Sequence, residues 1–186
     1  IRKVEDMKGT RVWLVEDDKM TDVALRIAGV SPVPLPIADV YTALQTGLVD
    51  TVAAPPIGAI AFQWHTRVRY LTDVPIMYLA GVFAVDKKVF AKISAKDRNV
   101  IREVVEAAAK RLDQANRADE ANAREALKNQ GIEFVSASSR DEVQRWRSIG
   151  SQATTEMRGT GRYSDALISE ILMLLQEHRA GASPEE

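Results

Sequence analysis

Two histidines, His65 and His178, stand far apart in this sequence. A histidine does acid–base work only within hydrogen-bond reach of the group it serves and the carboxylate that orients it. Neither is accompanied by a Gly-x-Ser-x-Gly elbow, a phosphate loop or a His-x-x-x-His metal pair. The run Glu16-Asp17-Asp18 could meet a cation, or supply His65 with the acid a hydrolase needs. Its plainer reading is a helix start, where carboxylates suit the positive end of the dipole. His65 reads more plainly as a surface or hydrogen-bonded helical residue. Arginine offers a different chemistry. A fixed guanidinium holds a carboxylate by two parallel charge-assisted hydrogen bonds. Arg67 and Arg69, however, read as surface residues. Trp13 and Trp64 suit the apolar walls of a small-molecule pocket; Trp13 serves equally well as a core tryptophan, and for Trp64 the core is the plainer reading.

These residues must be positioned by an ordinary globular core. The chain has 186 residues, 46% of them hydrophobic, enough for one domain or two small lobes. The net charge of −1 provides no field to recruit nucleic acid or anionic lipid. There is no cysteine, so neither disulfide nor thiolate chemistry is open to the chain. No apolar run approaches the roughly 18 residues of a membrane span. No secretory signal opens the chain, and a start at Ile1 without methionine suggests a processed or truncated beginning. No motif for a cofactor or a metal is present, and none is expected.

The pattern alternates helix and strand. Residues 11–15 read as a buried strand, with Val12, Trp13, Leu14 and Val15 consecutive. Residues 16–28 read as a helix closed by Gly29. Residues 30–36 are extended, because Pro32, Pro34 and Pro36 forbid helix. A helix over 38–47 buries Val40, Ala43 and Leu44 and stops at Gly47. A strand is expected over 48–53, ended by Pro55-Pro56. A helix is expected over 57–68 and a long apolar strand over 74–85. Ser94-x-x-Asp97 starts a helix that meets no proline or glycine until Gly131, roughly 54 Å at 1.5 Å per residue. A short strand over 132–136, helices over 141–157 and 165–179, and frayed residues 182–186 complete the expectation.

Several of these segments together resemble the solute-binding proteins of TRAP transporters, the dicarboxylate-type DctP family. Asp39-Val40-Tyr41, Ala43-Leu44-Gln45, Gly47 and Val49-Asp50 follow the family's E-V-Y-x-A-L-Q-x-G-x-V-D-G. Met7-Lys8-Gly9-Thr10-Arg11-Val12 resembles its L-K-G-x-K-I-R. Tyr70-Leu71-Thr72 resembles its K-Y-L-T, and Phe90 to Asp97 its F-x-x-L-x-x-x-D. The similarity runs from about Asp6 to Phe134 and covers the second part of such a protein, so a first α/β half is expected to be missing from this chain.

The resemblance implies an α/β fold: a periplasmic-binding-protein-like lobe, a mixed sheet flanked by helices, with a long C-terminal helix and a helical tail. It implies a ligand-binding lobe over 1–93, a connecting helix over 94–131, and a strand with C-terminal helices over 132–186. The implied function is extracytoplasmic, in the periplasm: capture of a small organic, carboxylate-bearing solute for the membrane subunits of a transporter, without catalysis. In the family an arginine of K-I-R and an asparagine of Q-E-N-P meet the carboxylate. Here those positions are Trp13 and Ala54, and the position before the helix, often aromatic, is Ile37. Arg11 lies two residues before Trp13 and would share its strand face. Trp13, Ile37, Ala54, Trp64 and Arg11 are therefore the expected ligand-binding residues. Two other classes stay open: a hydrolase using His65 with an acidic group, and an interaction protein that forms a homodimer through helical surfaces. No nucleic-acid partner is expected.

Overall fold

The computed structural model describes residues 1–76, 81–137 and 139–181. In chain order the elements are β1 (Trp13–Val15), α1 (Lys19–Ile27), β2 (Val33–Leu35), α2 (Val40–Thr46), α3 (Pro56–Ala61), β3 (Tyr70–Thr72), α4 (Lys87–Ala91), α5 (Ala95–Asn129), β4 (Glu133–Val135), α6 (Arg140–Met157) and α7 (Asp165–Gly181). Short 3-10 turns occupy Val4–Met7, Ile37–Asp39 and Trp64–Thr66. The chain divides into two compact units. The first comprises Ile1–Val52 and the chain from Ala137 onward, and the second is Ala53–Ser136.

The first unit is built on a strand–helix–strand turn. β1 and β2 pair in parallel, with Trp13 opposite Val33, Leu14 opposite Pro34 and Val15 opposite Leu35. α1 makes the crossover that a parallel pair requires. Asp18 caps it by accepting the Thr21 N–H at 3.1 Å, and Gly29 closes it at φ +80°, where a side chain would be strained. The residues before β1 fold back onto α6. Val4, Met7, Val12, Ala28 and Val30 form a buried cluster, completed by Ile1, Leu25, Trp146 and Ile149. α2 buries Val40, Ala43 and Leu44 and ends at Gly47 in the left-handed conformation. The stretch expected as a strand over 48–53 contributes only an isolated parallel bridge between Thr51 and Val12. The Trp13 N–H donates to the Thr51 carbonyl there at 2.9 Å.

The second unit is organised by α5. Ser94 caps it: its hydroxyl accepts the Asp97 N–H at 3.1 Å and donates to the Asp97 carboxylate at 2.7 Å. The helix then runs unbroken for 35 residues, as the absence of glycine and proline predicts. Its C-terminal third carries the unit's core, Ala123 and Leu127, with Ile132 and Trp64 also buried. β3 and β4 pair in parallel with Leu71 opposite Phe134. Arg124 stacks over the Phe134 ring and pairs with Asp73 at 2.5 Å, an interaction that raises the basicity of its guanidinium.

Two expectations differ from the structure here. The helix expected over 57–68 stops at Ala61, because Gln63 takes a left-handed φ of +59° and turns the chain. The strand expected over 74–85 forms no ladder at 74–76 or 81–85, and residues 77–80 lie outside the described residues. Val82 and Phe83 are 86% and 73% exposed, so their apolar character does not mark a buried strand. Residues 182–186, expected to fray, also lie outside the described residues.

Candidate functional site

In an open α/β sheet, ligands bind outside the carboxyl ends of the strands. In the first unit that edge is formed by Val15, the last residue of β1, and by the chain that leaves β2 at Leu35-Pro36-Ile37. Trp13 lies one pleat behind the edge. It is 7% exposed, and its indole N–H donates to the Leu35 carbonyl oxygen at 2.9 Å. Ile37, two residues beyond that carbonyl, is exposed, as is Val15. Arg11 is committed elsewhere in the same unit. Its guanidinium pairs with Asp50 at 3.0 Å, and its backbone N–H donates to the same carboxylate at 2.9 Å. Nothing in the sequence singled out Asp50 as this partner, 39 residues away.

The acidic run beside this edge is structural where its partners are visible. Asp18 is occupied by the Thr21 N–H and hydroxyl, and Asp22 by Arg26 at 2.9 Å. Asp17 sits at φ +64°, which aspartate tolerates better than most side chains, and its carbonyl accepts from Arg162 at 3.3 Å. A cleft of about 140 Å³ lies against this turn, lined in part by Leu14, Asp17, Asp18, Asp22, Pro32 and Pro34. Lys19 and Arg26 also line it, so three carboxylates face two cations.

Ala54 and Trp64 belong to the second unit. Ala54 is exposed, just ahead of the Pro55 that caps α3. Trp64 is 2% exposed, and the exposed Phe62 stacks on it at 5.2 Å between centroids with 25° between planes. Phe62 is the aromatic surface at this place. Its position two residues before Trp64 was the available signal, and the expected continuous helix concealed it. His65 Nδ1 lies 3.1 Å from the Ala59 carbonyl oxygen, a backbone contact and not the carboxylate that a catalytic dyad requires. Among the described residues, no three His, Asp or Glu side chains converge as metal ligands would.

Parallel strands crossed by helices, with an apolar strand-end edge, are the arrangement in which an α/β protein takes a ligand. The chain belongs to the bacterial extracellular solute-binding protein family 7, DctP, which matches residues 1–159. That family and its similar structures are solute-binding proteins of TRAP transporters rather than enzymes. An uncharacterized protein of Haemophilus influenzae is 27% identical over 139 residues, covering 73% of this chain and 41% of its own length. Two crystal structures share the fold. A TRAP periplasmic solute binding protein from Fusobacterium nucleatum, with bound sn-glycerol-3-phosphate, aligns at a TM-score of 0.80 and 20% identity. The alignment covers 97% of this chain and 56% of that one. A TRAP periplasmic solute binding protein from Desulfovibrio salexigens, with bound orotic acid, aligns at 0.79 and 18% identity, over 97% and 57%. The chain thus spans about half the length of the proteins it matches.

Proposed function

We propose that this chain is the second part of the extracytoplasmic component of a TRAP-type transporter, and that it captures a small carboxylate-bearing organic solute between two lobes in the periplasm. The family match over residues 1–159 carries this reading. Bound sn-glycerol-3-phosphate and orotic acid in the two similar structures support an anionic organic solute. Residues 1–93 supply the ligand-bearing segment, 94–131 the connecting helix and 132–186 the tail. Trp13, Ile37 and Arg11 are the ligand-binding residues proposed in the first unit, and Ala54 and Trp64 those proposed in the second. Closure of the lobes about the solute would present it to the membrane subunits, the natural partners of such a component. No helix among the described residues is long and apolar enough to cross a membrane. The exposed Leu167, Ile171 and Leu174 of α7 also support self-association of these residues in isolation.

The test is a thermal-shift screen of the full gene product against orotate, sn-glycerol 3-phosphate and a panel of mono- and dicarboxylates. A ligand that binds only the folded state raises the midpoint by mass action. A concentration-dependent rise with at least one organic acid is expected, and a flat response across the panel would overturn the proposal.

A further inference from the structure

We infer that Arg162 supplies the cation for the solute's carboxylate at the strand-end edge of the first unit. The inference rests on the solute-binding reading above and deepens it. From 145 residues along the chain, the Arg162 guanidinium reaches the turn that follows β1 and donates from Nη1 to the Asp17 carbonyl oxygen at 3.3 Å. That turn is folded onto the strand end: the Asp18 N–H donates at 3.2 Å to the carbonyl of Val15, the last residue of β1. Such ends are where parallel α/β sheets take ligands. A carbonyl oxygen orients a guanidinium without neutralising it. No carboxylate pairs with Arg162 among the described residues. Its charge and a pair of parallel N–H donors therefore remain for a solute carboxylate.

The loop that carries Arg162 is braced from both flanking helices. The Thr160 hydroxyl donates to the Met157 carbonyl of α6 at 2.8 Å, and the Gly159 N–H donates to the Asp165 carboxylate of α7 at 3.3 Å. The Arg162 N–H donates to the Thr160 hydroxyl oxygen at 3.4 Å. The other arginines near the edge are committed, Arg11 to Asp50 and Arg26 to Asp22. A carboxylate that leaves water needs a cation in exchange. Lys19, which lines the cleft with Asp17, adds a second positive charge at the turn. Of the local carboxylates, Asp18 is occupied by Thr21 and Asp22 by Arg26. Glu16 and Asp17 are exposed and pair with neither cation.

The test is titration calorimetry on the full gene product with orotate, sn-glycerol 3-phosphate and the same panel of mono- and dicarboxylates, repeated with Arg162→Gln and Arg158→Gln. The carboxylate that binds the wild type most tightly should lose roughly tenfold or more in affinity in Arg162→Gln. Arg158→Gln removes the same charge from the same loop, where Arg158 holds the Ser169 hydroxyl, and should change that affinity by less than about threefold. Because Arg162→Gln also loses the bond to Asp17, a second readout is taken on the wild type. The Nε–H resonance of Arg162, assigned by its absence from Arg162→Gln, should shift on saturation with that carboxylate. Unchanged affinity in Arg162→Gln, an equal loss in Arg158→Gln, or an unmoved Arg162 resonance would overturn this inference and leave the solute-binding reading intact. Binding of sn-glycerol 3-phosphate with none to any carboxylate would also overturn it. No response to any acid would overturn both.

Discussion

The indole N–H of Trp13 donates to the carbonyl oxygen of Leu35, 2.9 Å away on the neighbouring parallel strand. Trp13 pairs in register with Val33, so its side chain reaches along β2 to the last residue of that strand. The bond uses a carbonyl at the point where the ladder ends, and it holds a large ring beneath the edge formed by Val15 and Ile37. At a position where the family resemblance implies a cation for the solute carboxylate, this chain has a buried ring whose donor is satisfied within its own unit.

Trp13→Phe keeps most of the ring and removes the donor. It should destabilise the protein by about 1 kcal/mol, and by up to about 3 if the Leu35 carbonyl is left dry. Trp13→Ala also opens a cavity and should cost about 3–5 kcal/mol. Urea unfolding followed by circular dichroism checks both. Equal stability of the wild type and Trp13→Phe would show that the bond contributes nothing.

Glu142 is 4% exposed, and its carboxylate accepts the Val4 N–H at 2.5 Å. It also pairs with Arg145 at 3.4 Å, and Arg145 pairs with Glu5. The carboxylate thus fastens the chain entering β1 onto α6. Glu142→Ala leaves a buried N–H without a partner and should cost about 1–3 kcal/mol. Glu142→Gln keeps an acceptor and should recover much of that loss. Hydrogen exchange at Val4 gives the local readout: faster exchange is expected in Glu142→Ala, and unchanged exchange would contradict the role.

The Glu5 carboxyl is held below its ordinary 4.5, chiefly by the hydrogen bond from Arg145. A folded-state value below the unfolded one contributes stability that is present above about 4.5 and is lost as pH falls through the lowered value. The pair is exposed, so the effect should be small. Acid titration of the unfolding midpoint should show a shallower fall below pH 4.5 in Arg145→Gln than in the wild type. Superimposable curves would remove the pair from the acid response.

Local signals made much of the fold legible. The 35-residue α5 could be read because Ser94 starts it and no glycine or proline interrupts it before Gly131. Gly29 and Gly47 marked helix ends because each must turn left-handed. The break after Ala61 was not legible, because it depends on Gln63 adopting a positive φ without being glycine. The strand expected over 48–53 has Val49 fully buried beside an exposed Leu48, a pattern that composition alone cannot separate from a longer strand. At the candidate site, the residue types could be read from the sequence. The pairing of Arg11 with Asp50 and the bond from Trp13 to Leu35 are tertiary facts with no local trace.

α7 exposes Leu167, Ile171, Leu172, Met173, Leu174 and Leu175 in the 186-residue chain, while Ile168 is buried. Contiguous apolar surface of this kind drives association in water. Light scattering on these residues alone should show mass rising with concentration, and polar substitution of the exposed face, Ile171→Glu together with Leu174→Glu, should suppress it. A monomer at all concentrations that binds no hydrophobic dye would show that the helix is adequately covered.

The most direct measurement of the central claim is titration calorimetry of the full gene product with small organic acids. Saturable one-to-one binding of at least one acid is expected, with a negative heat-capacity change as apolar surface is buried in the cleft. The absence of saturable binding to any acid by a folded sample would contradict it.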